Sequence, residues 1–422
     1  MERTFIVRGD IIQAPEKERI EEHGDSYLVV TDGLVEGIFS SIPSRFSHYR
    51  LVDCRGHIVM PGLSDLHVHA SQYQFRGMWM DEELIDWLNR HTFPEEEKYR
   101  DRDYAERAYR IFVDDLVRSP TTRASIFATI HLDSTLVLAS YLEDSGIKAY
   151  VGKVNMDRNS TAGLSEDSAQ SLEDTQSFIE RTEGWTNVRP IITPRFIPSC
   201  TDGLMKALAR LAVDRGLPVQ SHLSENRSEI EWVKELCPDS TSYADAYRRR
   251  GLWGATPTIM AHCVHSTGRE EDLLAMDGIF IAHCPDSNAN LSSGIMDARR
   301  YLDAGCRIGL GTDVAGGCSL SMLRAMGDAV RVSKLRASCV DPSLKALTLA
   351  EAFHMASVIG GSFFGKVGLF EPGWEADIVV LDESGIATTL EDLSLSARLE
   401  RVVNLKSEGA VMHKAVCGRW LF

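Results

Sequence analysis

Eight short apolar runs, each followed by a longer stretch of helical periodicity, constrain this chain's fold more than any other feature. The runs cover residues 58–69, 123–129, 148–154, 188–196, 218–223, 258–264, 279–284 and 307–312. Between them lie amphipathic segments such as 204–215, 228–236, 270–276 and 296–304. Near-continuous apolar strands that alternate with helices read as a parallel sheet covered on both faces. Eight such units over roughly 250 residues point to a closed (β/α)8 barrel of the TIM type, with an open doubly wound sheet as the alternative. The whole is an α/β protein. With 422 residues, the chain is long enough for this barrel, placed at 59–368, and a second, smaller domain.

The two ends of the chain are β-rich. Residues 4–12, 26–31, 37–39 and 50–52 read as strands, separated by Pro15, Gly24, the Asp32-Gly33 turn signal and Pro43. The charged tract 16–22 reads as an exposed loop. Helical stretches at 323–335 and 349–364 follow the last barrel run, and strands return at 376–381, 400–405, 410–413 and 415–421. Each end alone has too few strands to bury a face. Residues 1–58 and 369–422 are therefore expected to pair into one small composite β-rich domain. The main irregularity is the long insertion 71–119 after the first barrel run, containing Trp79, Trp87 and the His91-Thr92-Phe93-Pro94 turn. At a barrel's catalytic face such a loop walls or lids a site; the plainer reading is a surface helix pair.

Composition narrows the partners. The formal net charge of −16 argues against nucleic-acid backbones and anionic membranes. No segment approaches the roughly 20 uninterrupted apolar residues of a membrane span, and MERTFIVRGDII lacks the charged-then-apolar order of a signal peptide. The nine cysteines form no CxxC pair and read as reduced, mostly buried thiols of a cytoplasmic protein.

In a (β/α)8 barrel the C-terminal ends of the strands converge on one site. The first run ends in His67-Val68-His69, and residues two apart on a strand share a face. The fourth ends in Thr193-Pro194-Arg195-Phe196, the fifth in His222-Leu223-Ser224-Glu225, the sixth in His262, the seventh in His283-Cys284 and the eighth in Thr312-Asp313. Each histidine taken singly is as easily a core residue; their joint placement at strand ends is not. Imidazole and carboxylate donors suit zinc, and iron less specifically. Glu225, three residues after His222, is the natural proton carrier, unless it merely decorates a helix N-terminus. Asp313 is a second carboxylate at the metal edge, and two carboxylates in different surroundings divide acid and base work. His283, His131 and Lys153 read as neighbours of the site or as core. No GxxxxGK loop, HxE…PCxxC pattern or GxSxG elbow is present.

Taken together, PGLSDLHVHASQY, WLNRHTFP, IFATIH, VGKVNMD, PIITPRF, QSHLSEN, IMAHC, IAHCPDSN with LSSG, and GLGTDVAGG resemble the amidohydrolase superfamily in its mononuclear-zinc deaminase branch. HxH and the late Asp belong to the superfamily at large. HASQY, TPRF and SHLSEN are similar to the guanine deaminase group within it, over about residues 59–361. The resemblance implies one Zn2+ per chain held by His67, His69, His222, His262 and Asp313. It implies that Glu225 protonates a ring nitrogen of guanine, that Gln72 and Arg195 bind the base with Phe196 beside it, and that the protein is a homodimer. His262 is also placed to polarise the attacking water. The bland readings are an ion pair for Arg195 and a surface position for Gln72. The activity implied is hydrolytic deamination of guanine to xanthine and ammonia. Another purine, a pterin or a triazine is the alternative substrate, and a silent barrel acting as a scaffold is the alternative class. Two departures from the group stand out: Ser119-Pro120-Thr121 at the entry to the second run, and Asp286 where asparagine is usual.

Overall fold

The computed structural model describes residues 3–422. The N-terminal strands are β1 (Phe5–Glu16), β2 (Arg19–Thr31), β3 (Leu34–Phe39) and β4 (Leu51–Pro61). The barrel strands follow as β5 (Leu63–His69), β6 (Thr121–Phe127), β7 (Lys148–Gly152), β8 (Val154–Asn155), β9 (Val188–Pro190), β10 (Thr193–Pro194), β11 (Val219–Leu223), β12 (Thr258–His262), β13 (Phe280–His283) and β14 (Arg307–Leu310). The chain ends with β15 (Ile378–Leu381), β16 (Val411–Val416) and β17 (Arg419–Trp420).

The eight apolar runs form the expected parallel barrel. β5, β6, β7 and β9 pair in order, as do β11, β12, β13 and β14. The third and fourth runs are each broken, so β8 and β10 pair with one another as a separate short ladder. Pro190 and Pro194 lack the N–H that an unbroken central strand needs. Backbone bonds from Gln220 N to Ile192 O and from Ile192 N to Pro218 O, both 2.9 Å, carry the wall from the fourth run to the fifth. The seam between the eighth run and the first closes through Asp313 N to His67 O at 2.8 Å and His69 N to Val314 O at 3.1 Å. Asp65 reinforces it by accepting from Thr312 N at 3.0 Å and from Thr312 Oγ1 at 2.5 Å. Tyr150 in the middle of β7 and Phe280 at the start of β13 pack round Phe363, with ring centroids 5.3 and 5.1 Å away. That end of the barrel is plugged, and the site lies at the other.

Both chain ends meet in one seven-stranded sheet, in the order β17-β16-β15-β4-β1-β2-β3. Its placement corrects one strand boundary. The run 58–69 is two strands, because Ile58–Pro61 pair antiparallel with Ile378–Leu381 in the terminal sheet before the chain turns at Gly62 into β5. Two further readings change. The tract 16–22 is the tip and start of the β1–β2 hairpin; its charges pair across and along the strands, as in Gln13 Nε2 to Glu21 Oε2 at 2.9 Å and Arg19 Nη2 to Glu21 Oε1 at 2.8 Å. Residues 400–405 belong to a helix, Leu395–Leu405, capped by the Ser394 side chain. Its buried Leu395, Leu399, Val402 and Val403 follow helical spacing, which outweighs the β preference of the valine pair. Among the described residues no helix is long and apolar enough to cross a membrane.

Candidate active site

Every candidate donor is delivered by a strand end. β5 is buried along its whole length, and the two-residue spacing of His67 and His69 puts both on one face. Their rings stand 4.8 Å apart, edge to face. β11 supplies His222, whose Nδ1 bonds the Arg195 carbonyl at 2.7 Å and whose Nε2 stands 3.2 Å from His69 Nε2. β12 supplies His262, oriented by Asn288 Oδ1 2.9 Å from its Nδ1. The turn after β14 supplies Asp313, with Oδ1 3.1 Å from His67 Nε2 and 3.5 Å from His69 Nε2, and Oδ2 3.7 Å from His262 Nε2. Glycine at 311 lets this turn approach β5: a Cβ there would stand 2.9 Å from His67 Cβ and from Cys284 Sγ.

The donors fit a cation. One ring nitrogen from each of His67, His222 and His262 falls within 4.8 Å of the others, and so do donor atoms of His67, His69 and Asp313. Neither ring nitrogen of the buried His67 has a well-aligned hydrogen-bond partner. Imidazole and carboxylate oxygen are also the donor types that zinc and similar ions take. His262 (φ +74°) and Asp313 (φ +47°) hold left-handed backbone, which costs side-chain-bearing residues on the order of 1–3 kcal/mol each and clusters at functional sites. Cys284 Sγ also lies within 4.8 Å of donors on His262 and Asp313, a neighbour that the sequence reading did not assign. Burial, with Asp313 nearby, pushes its thiol well up.

Electrostatics divide the two carboxylates. Burial, reinforced by Asp313 and Glu229, pushes Glu225 well above the usual carboxylate range. Burial would also raise Asp313, but the adjacent imidazoles of His67, His262 and His69 outweigh it and pull the carboxyl far down. Burial lowers His67, His69 and His222, which keeps them neutral as ligands must be.

Glu225 does not decorate a helix end. The helix Arg227–Leu236 is capped by Asn226 with Glu229 in a capping box, and Glu229 Oε2 also accepts from Glu225 N at 3.0 Å. That leaves the Glu225 side chain free to turn inward, with Oε1 accepting from Ser293 Oγ at 3.3 Å and Oε2 3.4 Å from His262 Nε2.

A cavity opens beside this cluster, lined by Gln72, Leu84, Trp87, Arg195, Phe196 and Glu225 among others. Gln72, Leu84, Trp87 and Leu88 come from the insertion, which therefore walls the site. Phe196 and Arg195 follow β10. His283 is buried with both ring nitrogens unpaired, and burial lowers it to about 3. His131 lies in a different cleft, with Arg100, Asp133 and Glu166. Lys153 is paired with Glu166 and bonded to Ser171 Oγ at 3.3 Å, outside the donor cluster. Asp286 also points away, accepting from Cys318 N at 2.9 Å and tying the helix Pro285–Asn290 to the loop after β14.

The Amidohydrolase family pattern matches residues 58–421. The chain belongs to the amidohydrolase family. Among relatives in this family, guanine deaminase of Mus musculus is 42% identical over 330 residues, covering 76% of this chain and 72% of that protein. Guanine deaminase of Escherichia coli is 34% identical over 414 residues, covering 94% of this chain and 91% of that protein. The crystal structure of guanine deaminase from C. acetobutylicum, with guanine bound in its active site, superposes with a TM-score of 0.97 at 43% identity, covering 99% of this chain and 100% of that one. The terminal composite sheet is shared with this amidohydrolase neighbour along with the barrel.

Proposed function

We propose that this chain hydrolyses guanine to xanthine and ammonia, with one zinc ion per chain held by His67, His69, His222, His262 and Asp313. The observation that carries the reading is a conjunction. Gln72, Arg195 and Phe196 line the same cavity as Glu225 and the donor cluster, in a chain 43% identical to a guanine deaminase that holds guanine. The residues propose themselves for the base on chemical grounds too. Guanine's O6 and N7 are acceptors suited to the donor-only fork of Arg195, and the Gln72 amide offers a donor and an acceptor together.

A divalent ion at this site, when bound, supplies Lewis acidity and makes water nucleophilic at neutral pH. The side chains account for the rest. Phe196, Leu84 and Trp87 exclude bulk water and hold the flat base, while Arg195 and Gln72 set C2 over the carboxylates. Glu225 gives a proton to the ring nitrogen beside C2, which makes C2 electrophilic. As water oxygen bonds to C2, Asp313 takes one of the water's two protons. Asp313 then passes that proton to the exocyclic amine, the C2–N bond breaks, and ammonia leaves. Loss of the remaining hydroxyl proton back to Glu225 completes xanthine and restores the acid.

The cytoplasm as compartment, the homodimer as working form and purine catabolism as role belong to the same proposal. They are supported by the reduced cysteines and by the resemblance to this deaminase group. The deciding experiment is ammonia release by the purified, zinc-assayed protein across guanine, adenine, cytosine, a pterin and melamine. Turnover of guanine far above the rest is the expected result. Turnover of a pterin or melamine with guanine untouched would replace the substrate. Silence on the whole panel by protein carrying one zinc per chain would remove the enzyme.

A further inference from the structure

Glu96 stands behind the cavity wall, on the short helix Phe93–Glu97 of the insertion, and is 3% exposed. Its Oε1 accepts from Gln72 Nε2 at 3.0 Å, and its Oε2 accepts from Arg195 Nη1 at 2.5 Å. Gln72 Oε1 accepts in turn from Ala315 N at 3.2 Å. The Arg195 guanidinium also lies over the Phe93 ring, 5.2 Å from its centroid. One buried carboxylate thus joins two cavity-lining side chains that arrive from opposite walls of the barrel, one after β5 and one after β10.

We propose that Glu96 is the positioning residue that fixes Gln72 and Arg195 for recognition of a neutral base; the inference rests on the reading of this cavity as a purine site. Three physical consequences of the geometry support it. A carboxylate only accepts, so Glu96 holds the Nε2 end of Gln72 towards itself, and the Ala315 N–H holds the Oε1 end. Together they select one of the two amide orientations, and with it the donor and acceptor left for a ligand. The second consequence is for Arg195, whose rigid fork is held by one nitrogen, so the direction of the others is set before a base arrives. The third is charge. A buried guanidinium without a counter-charge would favour anions, and pairing it with Glu96 leaves a cavity wall matched to an uncharged oxopurine.

The test uses Glu96→Gln, which keeps the shape and one acceptor but removes the charge. Guanine KM is expected to rise about tenfold, the scale of losing a charge-assisted bond, while kcat stays within about threefold. Zinc content per folded chain should match the wild type, while the thermal midpoint falls because Arg195 loses its buried counter-charge. Inhibition should also shift by about tenfold in favour of urate, an anionic oxopurine, over neutral hypoxanthine. In an Arg195→Gln background, Glu96→Gln should have much less effect on KM, because its partner is already gone. An unchanged KM and an unchanged inhibitor ratio would overturn the proposal. So would losses of kcat that simply track lost zinc or lost folded protein, the signature of a strut between insertion and barrel. If the wild type turned over no guanine, the activity reading would fail by itself. Calorimetric affinities of hypoxanthine and urate for wild type and Glu96→Gln would then still decide whether Glu96 selects neutral ligands.

Discussion

The strand β6 begins in one buried polar region and ends beside another, and the two are built differently. At its start, Arg123 donates to Asp377 through Nε at 2.7 Å and Nη2 at 2.9 Å, and to Glu375 at 2.5 Å. Lys414 of the terminal sheet donates to the carbonyls of Leu116, Ser119 and Thr121 at 3.0, 2.8 and 2.9 Å. Charge and polarity are answered within the chain, across the junction of terminal sheet and barrel. At the other end of β6, Phe127 packs against His67, His69 and His222, whose ring centroids lie 5.0, 4.7 and 5.0 Å away. There the polar groups are answered poorly by one another: an unpartnered His67 Nδ1, two facing Nε2 atoms, and left-handed backbone at His262 and Asp313. The first arrangement holds two domains together. The second is costly for the bare chain and makes sense as a donor set for a cation and a surface for a reacting ligand.

Breaking the site should therefore damage chemistry, and breaking the junction should damage stability. His67→Ala gives the largest effect expected: loss of bound metal and of at least about 10³-fold in ammonia release, read by metal analysis and kinetics, because the Lewis acid goes with its ligand. Glu225→Gln should keep its metal but fall about 10²–10⁴-fold in kcat; an unchanged rate would show that the proton travels elsewhere. Arg123→Ala should cost on the order of 3–5 kcal/mol in denaturant unfolding, since Asp377 is left buried and unpaired, with kcat per folded molecule preserved. A junction variant that lost kcat while remaining folded would erase the distinction between the two regions. Arg195→Ala should raise guanine KM about tenfold at constant metal content; an unaffected KM would make Arg195 purely structural. The smallest change is Asp286→Asn, away from the cavity, expected to alter stability by about 1 kcal/mol or less and to leave kcat and KM alone.

The barrel was legible because strand and helix periods are local, and eight repeats of one pattern leave few folds. The donor set was legible for a related reason: strand ends converge once the barrel closes, so His67, His69, His222, His262 and Asp313 could be grouped before any coordinate was known. Where periodicity was ambiguous, the reading slipped. The Val402-Val403 pair looked like a strand until the packing of Leu395 and Leu399 showed a helix face. The run through Ile58 and His69 looked continuous because both halves are apolar, although they belong to different sheets. Glu96 went unassigned for a different reason. Within PEEEK it is one of three adjacent glutamates. Only the fold distinguishes the one that meets Gln72 and Arg195 from Glu97, which accepts from Thr161.

By itself, then, the sequence determined the alternation that makes a barrel, the pairing of the two β-rich ends, and the residue types available for metal and proton transfer. Tertiary structure alone decided which of those residues share a volume. It turned Glu225 inward by giving the helix cap to Asn226 and Glu229, set Asp286 and Lys153 to structural work, and brought Glu96 behind two residues 24 and 99 positions away in the chain. The reason is physical: hydrophobic period and turn chemistry act over a few residues. Contacts between strand ends and an inserted loop depend on closure of the whole barrel, which no local pattern encodes.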